Sequence, residues 1–138
     1  MSTAMSPSAK GALAELAVAT ALSRNGRNVF LPFFNAHSRV DLIYSTTAGA
    51  LRRVQCKAAH VIKDVMHFYT CSHTGGVERG YLGEVDEFGV YCEETGCVYL
   101  VPVTDVPARL ASLRLTRPRN NQLRGVRWAE PYVLGPPW

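Results

Sequence analysis

Alanine and leucine crowd the stretch from Ser8 to Asn25, and its small and apolar positions recur at helical spacing. This predicts a first helix, opened by Pro7 and Ser8 and stopped at Gly26. The apolar runs then shorten and become richer in Val, Ile, Phe and Tyr, which marks strands. Asn28 to Phe33 is one, carrying Val29, Phe30 and Leu31. Val40 to Tyr44 and Leu51 to Lys57 are two more, split by the turn Ser45-Thr46-Thr47-Ala48-Gly49-Ala50. Met66 to Cys71 is strand-like, and the polar, glycine-ended Ser72 to Gly76 reads as a loop. Phe88 to Cys92 and Cys97 to Val103 form a hairpin around Glu93-Glu94-Thr95-Gly96. Thr104-Asp105-Val106-Pro107 then caps a short helix through Leu110 or Ala111. The closing Gly135-Pro136-Pro137-Trp138 is a stiff tail, expected to fold back through its Trp.

The periodicities also place polar side chains. Glu15 has Gly11, Ala12, Val18, Ala19 and Leu22 as its helical neighbours, so its carboxylate leaves a small, apolar surface of the helix. In the run Leu51 to Lys57, Arg53, Gln55 and Lys57 share one face, and Arg52, Val54 and Cys56 the other. Gln55 and Lys57 are therefore about 6.6–7 Å apart along one strand face. Asp41, on the antiparallel neighbour, can face them across the ladder.

With 138 residues, 47% of them hydrophobic, the chain can bury the core of one domain, read here as residues 1–138. No apolar run reaches the ~18 residues of a membrane span, and the first residues lack the pattern of a secretory signal, so an intracellular, cytoplasmic protein without a membrane partner is expected. The net charge of +4 hides a segregation. Residues 1–57 carry seven basic and two acidic groups, 58–110 three and eight, and 111–138 five and one. The basic C-terminal segment 111–138 uses arginine throughout, which suits bidentate phosphate contacts. Cysteines 56, 71, 92 and 97 show no CxxC pair, so free thiols are the expectation. A zinc site built from Cys71, His73, Cys92 and Cys97 is conceivable from its spacing but not expected, because such residues are common strand fillers.

Glu15 and Asp41 are the only two acids in the first 57 residues. Two isolated carboxylates near a strand-borne lysine suggest a hard-cation site, because a divalent ion offsets the cost of holding carboxylates in a partly dry place. Phosphodiester cleavage needs an activated water, stabilisation of charge at phosphorus and help for the leaving oxygen, and bound Mg²⁺ can supply all three. Glu15, Asp41, the amide oxygen of Gln55 and the Cys56 backbone carbonyl are the candidate ligands, with Mn²⁺ able to substitute. Lys57 is the candidate to orient or deprotonate the water, or to hold the phosphate.

Asp41 followed by Gln55-Cys56-Lys57, after Glu15 in a Lys10-Gly11-x-x-Ala14-Glu15 helix, resembles the PD-(D/E)XK nuclease superfamily, and within it the group I intron-associated homing endonucleases, where Gln commonly replaces the second acid. The resemblance extends through Ser38-Arg39-Val40-Asp41-Leu42-Ile43, Ser72-His73-Thr74, Gly83-Glu84-Val85-Asp86, Val98 to Val103, Asn120-Asn121-Gln122 and Arg127-Trp128-Ala129-Glu130. It departs from the superfamily pattern at Val40, where a Pro would precede the acid, and at Gln55.

The resemblance implies an α/β (α+β) fold with a restriction-endonuclease-like αβββαβ core, a central mixed β-sheet flanked by helices. It further implies Mg²⁺-dependent cleavage of double-stranded DNA by a homo-oligomer, dimer or tetramer. Candidate DNA contacts are Lys10, Arg39, His73, Arg117, Arg119, Asn120, Asn121, Gln122 and Arg124, with His37 a further loop candidate. Two other readings share these residues: a Holliday-junction resolvase, and a DNA-binding module that has lost activity through Gln55.

Overall fold

The structure, a computed structural model, describes residues 4–34, 38–116 and 126–138. Helix α1 spans Pro7–Arg24. Ser6 caps it, its hydroxyl accepting the Ala9 N–H at 3.2 Å, with Pro7 in the first turn, where its missing N–H costs nothing. At the other end Gly26, at φ +78°, lets Gly26 N–H reach Ser23 O and Arg27 N–H reach Leu22 O, a Schellman closure.

The strands are β1 (Val29–Phe30), β2 (Leu42–Ser45), β3 (Leu51–Ile62), β4 (Val65–Tyr69), β5 (Cys71–Thr74), β6 (Val77–Gly80), β7 (Glu87–Cys92), β8 (Cys97–Pro102), β9 (Leu110–Arg114) and β10 (Val133–Gly135). The main sheet runs β1-β2-β3-β7-β8-β10, with β4 and β9 continuing from the far end of β3, and β5-β6 stands apart as a hairpin. β3 and β7 are parallel, pairing Val54 with Glu87 through Ala59 with Cys92, and the other strand pairs are antiparallel. The result is a mixed, curled sheet of α+β class, as expected.

The flanking layer differs in composition from the αβββαβ expectation. Among the described residues α1 is the only α-helix, and the crossover from β3 to its parallel partner β7 is made by β4 and the β5-β6 hairpin. Several boundaries move as well. The strand expected over 28–33 shrinks to two residues, while β3 runs on to Ile62, because its C-terminal end gains β4 as a partner: His60 pairs with His67 and Ile62 with Val65. The expected loop 72–76 is mostly strand β5, turned back by Gly75 and Gly76, both at positive φ. The short helix expected through 110–111 is one 3₁₀ turn, Val103–Asp105, followed by β9. There Ala111 and Leu113 are buried and Leu110 and Ser112 exposed, a period of two that pairing with β4 imposes on a helix-favouring composition.

The core lies on both faces of the sheet. Ala14, Ala17, Val18, Ala21 and Leu22 of α1 pack on Leu42, Tyr44, Val54, Cys56, Tyr91 and Val98. The opposite face gathers Met66, Phe68, Tyr81, Val85, Phe88, Val90, Tyr99, Val101 and Leu113. Helix and sheet approach closely because residue 89 is glycine: a Cβ there would lie 2.6 Å from a Val18 methyl and 3.0 Å from one of Val54. Trp138 does fold back, its ring 5.8 Å from that of Tyr91, and Arg24 donates to the Pro137 carbonyl at 3.3 Å.

Candidate active site

Val54 and Cys56 of β3 are buried beneath α1, which turns Gln55 and Lys57 to the opposite face, as alternation requires. Asp41 stands just ahead of β2, where its N–H donates to Val54 O at 2.8 Å and its Oδ2 accepts the Cys56 N–H at 2.7 Å. That pair of bonds fixes the carboxylate beside the Gln55-Cys56-Lys57 backbone. α1 crosses close enough for the Glu15 carboxylate to reach Asp41, so the three parts of the sequence that carried the expected site converge.

The electrostatics of this junction are strained. Burial, aided by the charge of Glu15 and a hydrogen bond to it, pushes the Asp41 carboxyl from its ordinary 3.8 up to about 7, against the lowering effects of the Cys56 N–H and Lys57. Burial also lowers the Lys57 ammonium below its ordinary value, opposed by Asp41. Without a further cation Asp41 therefore tends to keep its proton. Gln55 Oε1 is buried with no hydrogen-bond partner among the described residues, and the Gln55 amide lies 3.5 Å from the Cys56 carbonyl. The two carboxylates, the Gln55 amide oxygen without a partner among the described residues and the Cys56 carbonyl are oxygen donors of the kind that suits a hard divalent ion.

Lys57 is held in a setting the sequence did not reveal. Its Nζ lies 4.9 Å from the centroid of the buried Tyr81 ring and 3.5 Å from the Tyr81 hydroxyl, and Arg39 sits on the same ring at 3.9 Å. Tyr81 is in the connection between β6 and β7, where a lone aromatic gives no periodic signal. Arg39, expected to face DNA, spends its guanidinium internally: on Ser72 Oγ at 2.7 Å, on the Gly80 and Arg79 carbonyls at 2.6 and 3.2 Å, and in an ion pair with Glu84 at 2.8 Å. Asp86 supports the sheet, accepting from the Arg53 N–H at 2.8 Å and from its guanidinium at 3.1 and 3.2 Å.

Of the other candidate contacts, Lys10 is exposed on α1 and His73 on β5 lies 3.3 Å from Glu78. Arg117, Arg119, Asn120, Asn121, Gln122 and Arg124, like His37, fall outside the described residues. Arg127, also in the basic C-terminal segment, donates to the Tyr132 hydroxyl at 2.9 Å. Cys92 and Cys97 are cross-strand partners at the β7-β8 turn, while Cys71 and His73 lie on β5, and all four cysteines are free thiols.

No curated protein sequence matches the chain. Among solved structures it is similar to the bacterial homing endonuclease I-Ssp6803I, with a TM-score of 0.71 and 23% identity over 94% of this chain and 89% of that one, a likeness of fold. The family model described as PD-(D/E)XK endonuclease matches residues 5–134, a span that contains Glu15, Asp41, Gln55 and Lys57. The chain therefore belongs to the PD-(D/E)XK endonuclease family and is a nuclease.

Proposed function

We propose that this nuclease hydrolyses phosphodiester bonds of double-stranded DNA in the manner of a homing endonuclease, with Mg²⁺ held by Glu15, Asp41, Gln55 Oε1 and the Cys56 carbonyl, and Mn²⁺ able to replace it. The observation that carries the reading is the Asp41 carboxyl raised to about 7 beside Glu15, together with the Gln55 oxygen that has no partner among the described residues. Such a site is poorly satisfied by protein alone and well matched to a dication. The neutral Gln55 removes one negative charge from the superfamily's usual set, which is consistent with a site that leans on Glu15.

When bound, the metal supplies charge neutralisation at the phosphoryl oxygens and lowers the pKa of water. The protein's own groups do the rest. Asp41 is pinned by the Cys56 N–H, so its free oxygen is fixed in direction. Lys57 Nζ, its pKa lowered by burial, is placed to exchange a proton with the attacking water or to hold a phosphate oxygen. The Tyr81 ring beneath it, which also carries Arg39, limits its movement. Lys10 and the arginines of segment 111–138 supply phosphate contacts, and the enzyme works inside the cell, where its substrate is.

A long target suits more than one copy of a 138-residue chain. Phe33 and Phe34, 89% and 94% exposed beside the edge strand β1, with Leu31 also exposed, form an apolar surface suited to a second copy of this chain. Sedimentation of the purified protein and of Phe34→Asp tests this, with a shift from oligomer to monomer expected. The function itself is tested by incubating supercoiled plasmid, linear duplex and four-way junctions with Mg²⁺, Mn²⁺ or chelator. Duplex cleavage that chelation, Asp41→Ala and Lys57→Ala each abolish is expected. Junction-only cutting refutes the homing reading, and cutting unchanged in the variants refutes the site.

A further inference from the structure

The β5-β6 hairpin carries a group of side chains that the nuclease site does not use. Cys71 and His73, two apart on β5, project from one face, and Glu78 stands directly opposite His73 in the ladder. A thiol sulfur, an imidazole nitrogen and a carboxylate oxygen thereby lie within 4.8 Å of one another. His73 Nε2 is 3.9 Å from Cys71 Sγ and 3.3 Å from Glu78 Oε1. Around a tetrahedral zinc with bonds of about 2.3 Å to sulfur and about 2.0 Å to nitrogen and oxygen, those separations are about 3.5 Å and about 3.3 Å. Two of the three donor pairs are thus already close to ligating separation, and the third lies within 4.8 Å. With Tyr69 and Arg109 they line a cavity of about 550 Å³, so a fourth position is open to water.

We propose that Cys71, His73 and Glu78 form a binding site for a zinc-class transition-metal ion, separate from the all-oxygen site at Asp41. Thiolate and imidazole select such an ion over Mg²⁺. On binding, Cys71 loses its proton to solvent and ligates as thiolate, and His73 ligates neutral through Nε2. Arg109 holds the metal-free arrangement: its guanidinium lies 2.8 Å from Glu78 Oε1, and its carbonyl accepts the Cys71 S–H at 3.7 Å. The Arg109 side chain is 77% exposed, so it can yield Glu78 to the metal and turn into solvent. The ion would clip β5 to β6. Ser72, between the two ligands and facing the other way, anchors Arg39, which lies on Tyr81 beside Lys57, so the clip steadies the support of the nuclease lysine.

The site stands whether or not the nuclease residues act as proposed, and its test does not read cleavage. Metal-free protein is titrated with Co²⁺ and followed by absorbance, with Zn²⁺ added afterwards as competitor. One equivalent should give tetrahedral ligand-field bands and a thiolate-to-cobalt charge-transfer band, both removed by Zn²⁺. Cys71→Ser should lose the charge-transfer band, and His73→Ala and Glu78→Gln should weaken binding at least about 10-fold. Asp41→Ala should retain the spectrum. His73 and Glu78 are exposed enough for their variants to fold, which circular dichroism checks. Absence of the thiolate band in the wild type, its survival in Cys71→Ser, unchanged affinity in folded His73→Ala, or its loss in Cys97→Ser overturns the proposal.

Discussion

At Asp41 the pKa displacement makes two opposed predictions. The folded, metal-free chain keeps a proton on Asp41 up to about pH 7, while the unfolded chain releases it near the ordinary 3.8. Between those values the folded state binds more protons, so stability falls as pH rises from about 4 to about 7 and levels off above. Thermal melts in chelator should show this slope, and Asp41→Asn should flatten it. Divalent-metal affinity runs the other way, because the ion must displace that proton: it should rise up to about tenfold per pH unit below 7 and plateau above. Isothermal titration with Mn²⁺ across pH 5.5–8.5, as the approximate range of interest, reads that trend. At Lys57, replacement by Met should cut cleavage by about 10²–10⁴-fold, read in single-turnover assays. The melting point should be unchanged or raised, because a desolvated ammonium is removed. The shared strand face of Gln55 and Lys57, and the place of Glu15 on an apolar helix surface, were legible because alternation and helix spacing are local. Tyr81 was not, since its importance comes from lying under Lys57 and Arg39, a relation between chain segments distant in sequence.

Among the elements, α1 and the β7-β8 hairpin were readable because Pro7, Gly26 and two continuous apolar runs about Glu93-Glu94-Thr95-Gly96 state them locally. β5, β6 and β9 were hidden. Cys-Ser-His-Thr is too polar to announce a strand, and Leu-Ala-Ser-Leu favours a helix until β4 offers an edge. The packing of α1 on the sheet rests on Gly89. Gly89→Ala should force Val18 and Val54 aside and cost about 1–3 kcal/mol, measured by urea unfolding. The β3-β4 turn holds the opposite opportunity. Lys63 and Asp64 both sit at positive φ, 51° and 63°, a conformation that suits Asn-Gly. The double substitution Lys63→Asn with Asp64→Gly should raise stability by about 1 kcal/mol in the same assay.

For the whole molecule, the basic C-terminal segment is more than a charged appendage. β9 pairs with β4, β10 pairs with β8, Trp128 forms a backbone bridge to Arg114 and Trp138 packs edge-on against Tyr91. Removal of residues 126–138 should therefore abolish the cooperative melt seen by circular dichroism, not merely weaken DNA binding. Sequence alone determined what depends on near neighbours: the capped helix, the strand alternation that puts Gln55 and Lys57 on one face, and the charge and donor types of a nuclease site. Tertiary structure decided what depends on partners far along the chain. Parallel pairing of β3 with β7 through strands instead of a helix, the contact of Asp41 with Glu15, and the meeting of Cys71, His73 and Glu78 all follow from long-range pairing. Desolvation and like-charge proximity, which shift the Asp41 carboxyl, exist only once the chain is folded.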